Sequence, residues 1–222
     1  MKKVLVVSVH PDDETLGCGA TLLKHKSQGD EICWAIVTNM SGLSNVKPEQ
    51  IKTREEEISQ VAAKYGFKQV HQLGLPSTKL DSMGDSELIT IMHKLFCDVK
   101  PHTVYLPFQN DVHSDHRIIF NNAYACTKSF RSPFIKEIYM METLSETEFA
   151  PCAAGQSFCP NVFVDITEFL QQKIEIMNLY KSELAPCPFP RSEDNIRALA
   201  TLRGSTCGAR YAESFMLLKQ IK

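Results

Sequence analysis

No apolar stretch in this chain approaches the roughly 20 residues that a membrane-crossing helix needs, which excludes an obvious spanning segment. Basic residues are not in surplus either: the formal net charge is −2, with 23% of residues charged. A polycationic surface for nucleic acid is therefore not expected. The eight cysteines are scattered, with no C-x-x-C pair. That spacing excludes a zinc knuckle and offers no disulfide framework, so the cysteines read mostly as small core residues. The opening Met1-Lys2-Lys3 leads into an apolar run too short and too quickly polar for a signal peptide. A soluble cytoplasmic protein is the expectation. Gly17 and Gly19 follow the first strand, but the third glycine of a dinucleotide fingerprint is missing. Polar residues also fill the turn that a pyrophosphate would need, so close helix–sheet packing accounts better for both glycines.

A length of 222 residues suits one α/β domain over 1–222 with a full core. Val4–Val9 is short, apolar and β-branched, the signature of a buried parallel strand. Helical spacing follows from Thr15 to Gln28, with Gly29 as its stop. The rhythm then repeats. Glu31–Thr38, Gln69–Leu73 and Thr103–Pro107 read as strands, and Glu49–Tyr65, Ser86–Val99 and the segment from His116 to about Ser129 as helices. Ile135–Met141 and Asn161–Asp165 add strands, and Thr167–Lys181 and Glu193–Thr206 close the chain as helices. Such alternation implies a doubly wound parallel sheet with helices on both faces. Two segments break the rhythm. Pro186-Cys187-Pro188-Phe189-Pro190 must be a stiff extended loop, and Glu142–Pro160 reads as a long irregular insert, either a lid over a pocket or plain surface.

Chemistry concentrates at two strand ends. His10-Pro11-Asp12-Asp13-Glu14 follows the first strand directly, where α/β proteins place their ligand sites. Pro11 stiffens the turn, so His10 and Asp13 can point the same way. A neutral imidazole and a carboxylate are ordinary ligands of a catalytic zinc, while Asp12, lying between them, is free for another task. A polar turn that merely caps the next helix would use the same residue types. The second cluster, Asn110 to His116, follows Thr103–Pro107 and so belongs on the same rim of the sheet. Two histidines three apart, with Asp115 between them, can divide into one ligand and one acid/base group.

The HPDDE motif at 10–14 and the HxDH motif at 113–116 together resemble the PIG-L/LmbE-like family of zinc-dependent N-deacetylases. Supporting matches are Thr53-Arg54-Glu55-Glu56-Glu57, opening a helix that ends at Tyr65-Gly66, and Arg203-Gly204 through Tyr211-Ala212-Glu213-Ser214-Phe215. The resemblance implies a Rossmann-like, mostly parallel α/β sheet and removal of an acetyl group from an N-acetylglucosamine-type sugar or glycoconjugate. It implies one Zn2+ held by His10, Asp13 and His116, with other divalent metals able to substitute, and a tendency to form homo-oligomers. It makes Asp12 the general base, His113 the group that stabilises the oxyanion or protonates the leaving amine, and Asp115 the carboxylate that orients an imidazole. Arg54 matches the family arginine that would hydrogen-bond the substrate. Asn39, with Ser41 and Gly42, lies at the end of the second strand on the expected pocket rim. After Leu73-Gly74-Leu75-Pro76 many family members carry an aspartate that holds a sugar hydroxyl. Ser77 stands there, a shorter donor that leaves the sugar open. A zinc amidase acting on another N-acyl group, on a thiol conjugate or an antibiotic, and a non-catalytic sugar- or nucleotide-binding module are the rival readings.

Overall fold

Val4–Val7 is buried on both sides because its side chains alternate between two cores. Val4 and Val6 pack with Leu22, Val61, Ile174 and Ile196, whereas Leu5 and Val7 pack with Phe96 and Ile119. A strand covered on both faces has no polar side to show, which explains its unbroken apolar run. These relations come from a computed structural model, which describes residues 1–40, 43–153 and 155–222.

Among the described residues seven strands form one sheet: β1 (Lys3–Ser8), β2 (Glu31–Asn39), β3 (Gln69–Pro76), β4 (Thr103–Leu106), β5 (Glu137–Met141), β6 (Val162–Asp165) and β7 (Ala212–Gln220). Their order is β3-β2-β1-β4-β5-β7-β6. Neighbours from β3 to β5 are parallel, and β7 runs antiparallel to both β5 and β6. Among the described residues six α-helices accompany them: α1 (Asp13–Ser27), α2 (Pro48–Tyr65), α3 (Asp85–Val99), α4 (Ser114–Ala125), α5 (Leu170–Met177) and α6 (Glu193–Cys207). Among the described residues no helix is long and apolar enough to cross a membrane. The expected mostly parallel α/β sheet is present, and its strand order reverses at β1. A crevice therefore opens beyond the carboxyl ends of β1 and β4, the place where such sheets bind ligands.

The end of the chain departs from the sequence expectation. The chain closes in a strand, β7, rather than in helices. Gly208, at φ 77°, ends α6 and turns the chain back antiparallel, so β7 needs no crossover helix to announce it. It slots between β5 and β6, which would otherwise have been neighbours. Helix α5 is shorter than expected because Thr167–Phe169 forms a turn before it. The cysteines also differ: Cys18, Cys33 and Cys126 are buried, but Cys152, Cys159, Cys187 and Cys207 are exposed.

Helix α1 is broken at Cys18, where φ is −147° and ψ 20°. Gly17 lets the break lie against the sheet, since a Cβ there would come within 2.7 Å of Met141 Sδ. The break leaves backbone groups without helical partners, and a buried ion pair supplies them. Glu213 accepts the amides of Ala20 (3.1 Å) and Thr21 (2.7 Å). Lys173 Nζ donates to the Leu16 carbonyl (2.8 Å) and to Glu213 (2.6 Å). Removing one member of such a buried pair strands the other. Glu213→Leu should lower unfolding free energy by about 3–5 kcal/mol, measured by urea denaturation.

At the opposite, N-terminal rim of the sheet, the Lys2 amide donates to Asp30 Oδ1 (2.7 Å) and His25 Nδ1 lies 2.9 Å from Oδ2. Burial works against it, but these partners hold the Asp30 carboxyl below its ordinary value. A carboxyl lowered on folding stabilises the native state above its unfolded pKa of about 3.9, and the gain disappears as pH falls through the folded value. Asp30→Asn should therefore melt below wild type at neutral pH, and the two curves should converge as pH falls through the folded Asp30 value.

Candidate active site

The turn joining β1 to α1 is strained. Asp12 has φ 134° and ψ −27°, a region that L residues rarely enter. Buried hydrogen bonds hold it there. Glu14 Oε2 accepts the Asp12 amide (3.1 Å), and Asp13 Oδ2 accepts the amides of Val9 and His10, both at 2.8 Å. Glu14 is itself fully buried and receives the hydroxyls of Thr15 (2.7 Å), Tyr180 (2.9 Å) and Ser8 (3.3 Å). Burial pushes its carboxyl up to about 7, with the Thr15 and Tyr180 hydroxyls pulling the other way. The Asp12 side chain makes no capping bond to α1. It lines the cavity instead.

The second motif opens α4 on the neighbouring strand. His113 caps the helix, its Nδ1 accepting the Asp115 amide at 3.1 Å. That bond places the neutral ring's proton on Nε2. His116 is fully buried, with Nδ1 2.8 Å from Asp111 Oδ2, while Asp111 Oδ1 accepts the Thr147 hydroxyl at 2.6 Å. Asp115 Oδ2 accepts the Thr78 amide (2.7 Å) and lies 3.5 Å from His10 Nε2.

The two motifs meet. Ligand atoms of His10, Asp13 and His116 all lie within 4.8 Å of one another, and His10, His113 and Asp115 form a second such group. His116 Nε2 is 3.4 Å from Asp13 Oδ2, and the rings of His10 and His113 are 4.5 Å apart between centroids. Nε2 of His10 and of His116 are buried without a hydrogen-bond partner among the described residues. Two orphaned imidazole nitrogens beside a carboxylate form the donor set that a divalent ion such as Zn2+ takes. The residues fit a metal.

Electrostatics follow from crowding. Burial opposes both charges, yet Asp13 and His116 support each other, the carboxyl held below its usual range and the imidazole well above its own. Burial, then the neighbouring carboxylates of Asp13 and Glu183, raises Asp12, against the pull of Arg191. Burial and the other two histidines push His113 down to about 4.

Asp12 and His113 face a cavity of about 360 Å³, which Asn39, Ser77 and Arg54 also line. Arg54 is already engaged: Nη1 donates to the Pro11 carbonyl (3.1 Å), Nη2 to Ser182 (2.9 Å) and Glu183, and Nε lies 3.4 Å from Glu57. Ser41 and Gly42 lie outside the described residues. The irregular 142–160 segment reaches the cavity through Glu146, and the Pro186–Pro190 loop leads into Arg191.

Three residues here escape a motif reading. Asp111 lies inside the second cluster, and a carboxylate five positions before a histidine was its only signal. Glu183 and Arg191 sit in an irregular stretch, where no periodicity marks a side chain's direction. Loss of the carboxylate behind a ligating histidine commonly costs 10–100-fold in metal affinity. Asp111→Asn should show a drop of that size against a competing chromogenic chelator, with the fold retained by circular dichroism.

Comparison with known proteins places the chain among relatives. A family model described as PIG-L: GlcNAc-PI de-N-acetylase matches residues 5–127. Diacetylchitobiose deacetylase from Thermococcus kodakarensis is 25% identical over 230 residues, covering 100% of this chain and 85% of its own length. The solved N,N'-diacetylchitobiose deacetylase from Pyrococcus horikoshii shares the fold with a TM-score of 0.77 at 22% identity, over 98% of this chain and 84% of that one. GalB, the 4-carboxy-2-hydroxymuconate hydratase of Pseudomonas putida KT2440, shares it with a TM-score of 0.79 at 17% identity, over 100% and 98%. The fold alone thus does not choose a reaction. The family match covers more than half of the chain and takes in both His/Asp motifs, and the chain belongs to the PIG-L de-N-acetylase family.

Proposed function

We propose that this protein is a metal-dependent hydrolase that removes the acetyl group from an N-acetylglucosamine-type sugar or a glycoconjugate carrying one. The observation that carries the reading is the meeting of His10, Asp13 and His116 at the sheet's switch point, with two unpartnered Nε2 atoms beside the Asp13 carboxylate. His10, Asp13 and His116 would hold the ion, with Zn2+ the best match to this donor set. A dication bound there supplies the acidification of water and the polarisation of the amide carbonyl.

The remaining work falls to the chain's own side chains. Asp12, turned away from its helix and into the cavity, takes the proton of the attacking water. His113 presents Nε2–H to the developing oxyanion, because the Asp115 amide already occupies Nδ1. As the C–N bond breaks, the proton gained by Asp12 passes to the departing nitrogen. Acetate and the free amino sugar result. Asp111 and Thr147 keep the His116 ring in one orientation.

The test pairs metal content with acetate release from N-acetylglucosamine and its methyl glycoside. Wild type should bind about one metal per chain and lose turnover to a chelator. Asp12→Asn should keep the metal and lose about 10²–10⁴-fold in turnover, the usual worth of a general base. Full activity in that variant removes Asp12 from the role, and a wild-type protein that takes up no metal sinks the site.

A further inference from the structure

The cavity that holds the reacting groups also carries a charge pattern that the hydrolysis does not need. Among the described residues its lining contains two arginines, Arg54 and Arg191, and no lysine. Both are bridged by one carboxylate. Arg54 Nη2 donates to Glu183 Oε1, and Arg191 Nη2 lies 3.1 Å from Glu183 Oε2. Further contacts hold both guanidinium groups in place. Arg191 Nε donates to the Glu183 carbonyl (3.0 Å), and Nη1 reaches Ser145 Oγ (3.4 Å) and lies 3.7 Å from Asp12. Arg54 is tied to Pro11, Ser182 and Glu57 as described. Glu55 and Glu146 line the same cavity, and among the described residues neither has a salt bridge to a lysine or arginine, although Glu146 feels the charges of His116 and His10. Alongside these charges stand Met40, Leu43, Ile51 and Ile58, of which Leu43 and Ile51 are 38% and 41% exposed.

We infer that this cavity selects amino-sugar glycosides whose remaining part is neutral or cationic and partly apolar, and rejects those bearing a phosphate or carboxylate. The inference deepens the N-deacetylase reading and rests on it. Apart from the candidate metal centre and its histidines, an anionic group entering here finds both arginines already paired with a carboxylate. It must either displace Glu183 from both arginines or lie against Glu55 and Glu146 unpaired, and either course discriminates against it. A neutral apolar group meets no such penalty and covers Leu43 and Ile51, which water otherwise contacts. Glu183 is thus the specificity-determining residue. It spends the positive charge that a phosphate-binding pocket would keep free.

The experiment compares methyl N-acetylglucosaminide with N-acetylglucosamine 1-phosphate on the metal-loaded, full-length protein. Wild type should favour the neutral sugar by at least tenfold in kcat/KM, with the gap narrowing as salt screens the cavity. Glu183→Gln releases both guanidinium groups. It should shift the ratio toward the 1-phosphate by tenfold or more, through a lower KM for that substrate, and Glu183→Asp should restore much of the original preference. A merely structural role would instead lower both substrates together, and that result overturns the inference. So does a wild type that uses the 1-phosphate as well as the neutral sugar. Calorimetric binding of both sugars separates the two readings. Preferential binding of the neutral sugar without acetate release from either removes the deacetylase reading and leaves charge selection standing, whereas equal binding, or none, removes charge selection.

Discussion

Asp12 is held at φ 134°, a backbone conformation that costs on the order of 1–3 kcal/mol for a residue with a Cβ. Everything at the candidate site depends on that turn. It allows His10 and Asp13 to converge on His116 while Asp12 itself faces the cavity. Consecutive side chains on an ordinary helix or strand could not divide their directions in this way. The strain persists because Glu14 accepts the Asp12 amide from below and is locked by Thr15, Tyr180 and Ser8, with Trp34 Nε1 donating to Ser8 Oγ in turn (2.9 Å). Satisfied donors on both oxygens are what make such a buried carboxyl tolerable.

Support for the turn continues into the C-terminal third of the chain. Helix α1 begins at the motif and breaks at Cys18, and the groups freed by the break are taken up by Lys173 of α5 and Glu213 of β7. The antiparallel strand at the end of the chain therefore does more than extend the sheet. It delivers a carboxylate into the only interruption of the helix that carries Asp13 and Glu14. The Tyr211-Ala212-Glu213 segment, which resembles the family pattern far from any catalytic motif, gains a physical reason: without Glu213, two amides would be buried unpaired and the Lys173 ammonium would lose its counter-ion.

Charge is arranged around the cavity with similar economy. Three imidazoles and two carboxylates crowd together at the motif end, an arrangement that a bound dication would relieve. Farther out, one glutamate ties up two arginines. On the proposed reading the first cluster serves the reaction and the second governs which substrates reach it.

Much of this was legible in the sequence. The β-branched run before His10, the two His/Asp motifs and the regular strand–helix alternation dictate local structure through side-chain shape and periodicity, and they place both motifs at strand ends. Ser77, Asn39 and Arg54 were legible as pocket neighbours, though not the ties that engage Arg54. Strand β7 was hidden because an antiparallel return needs no crossover. Asp111, Glu183 and Arg191 were hidden because the directions of loop side chains are fixed by partners far away in the chain. The sequence by itself determined the α/β class, the strained turn's residues and the donor types available to a metal. Only the tertiary structure decided which strands became neighbours, which carboxylate stands behind His116 and which cations remain free, since each of those depends on contacts between segments that local propensity cannot see.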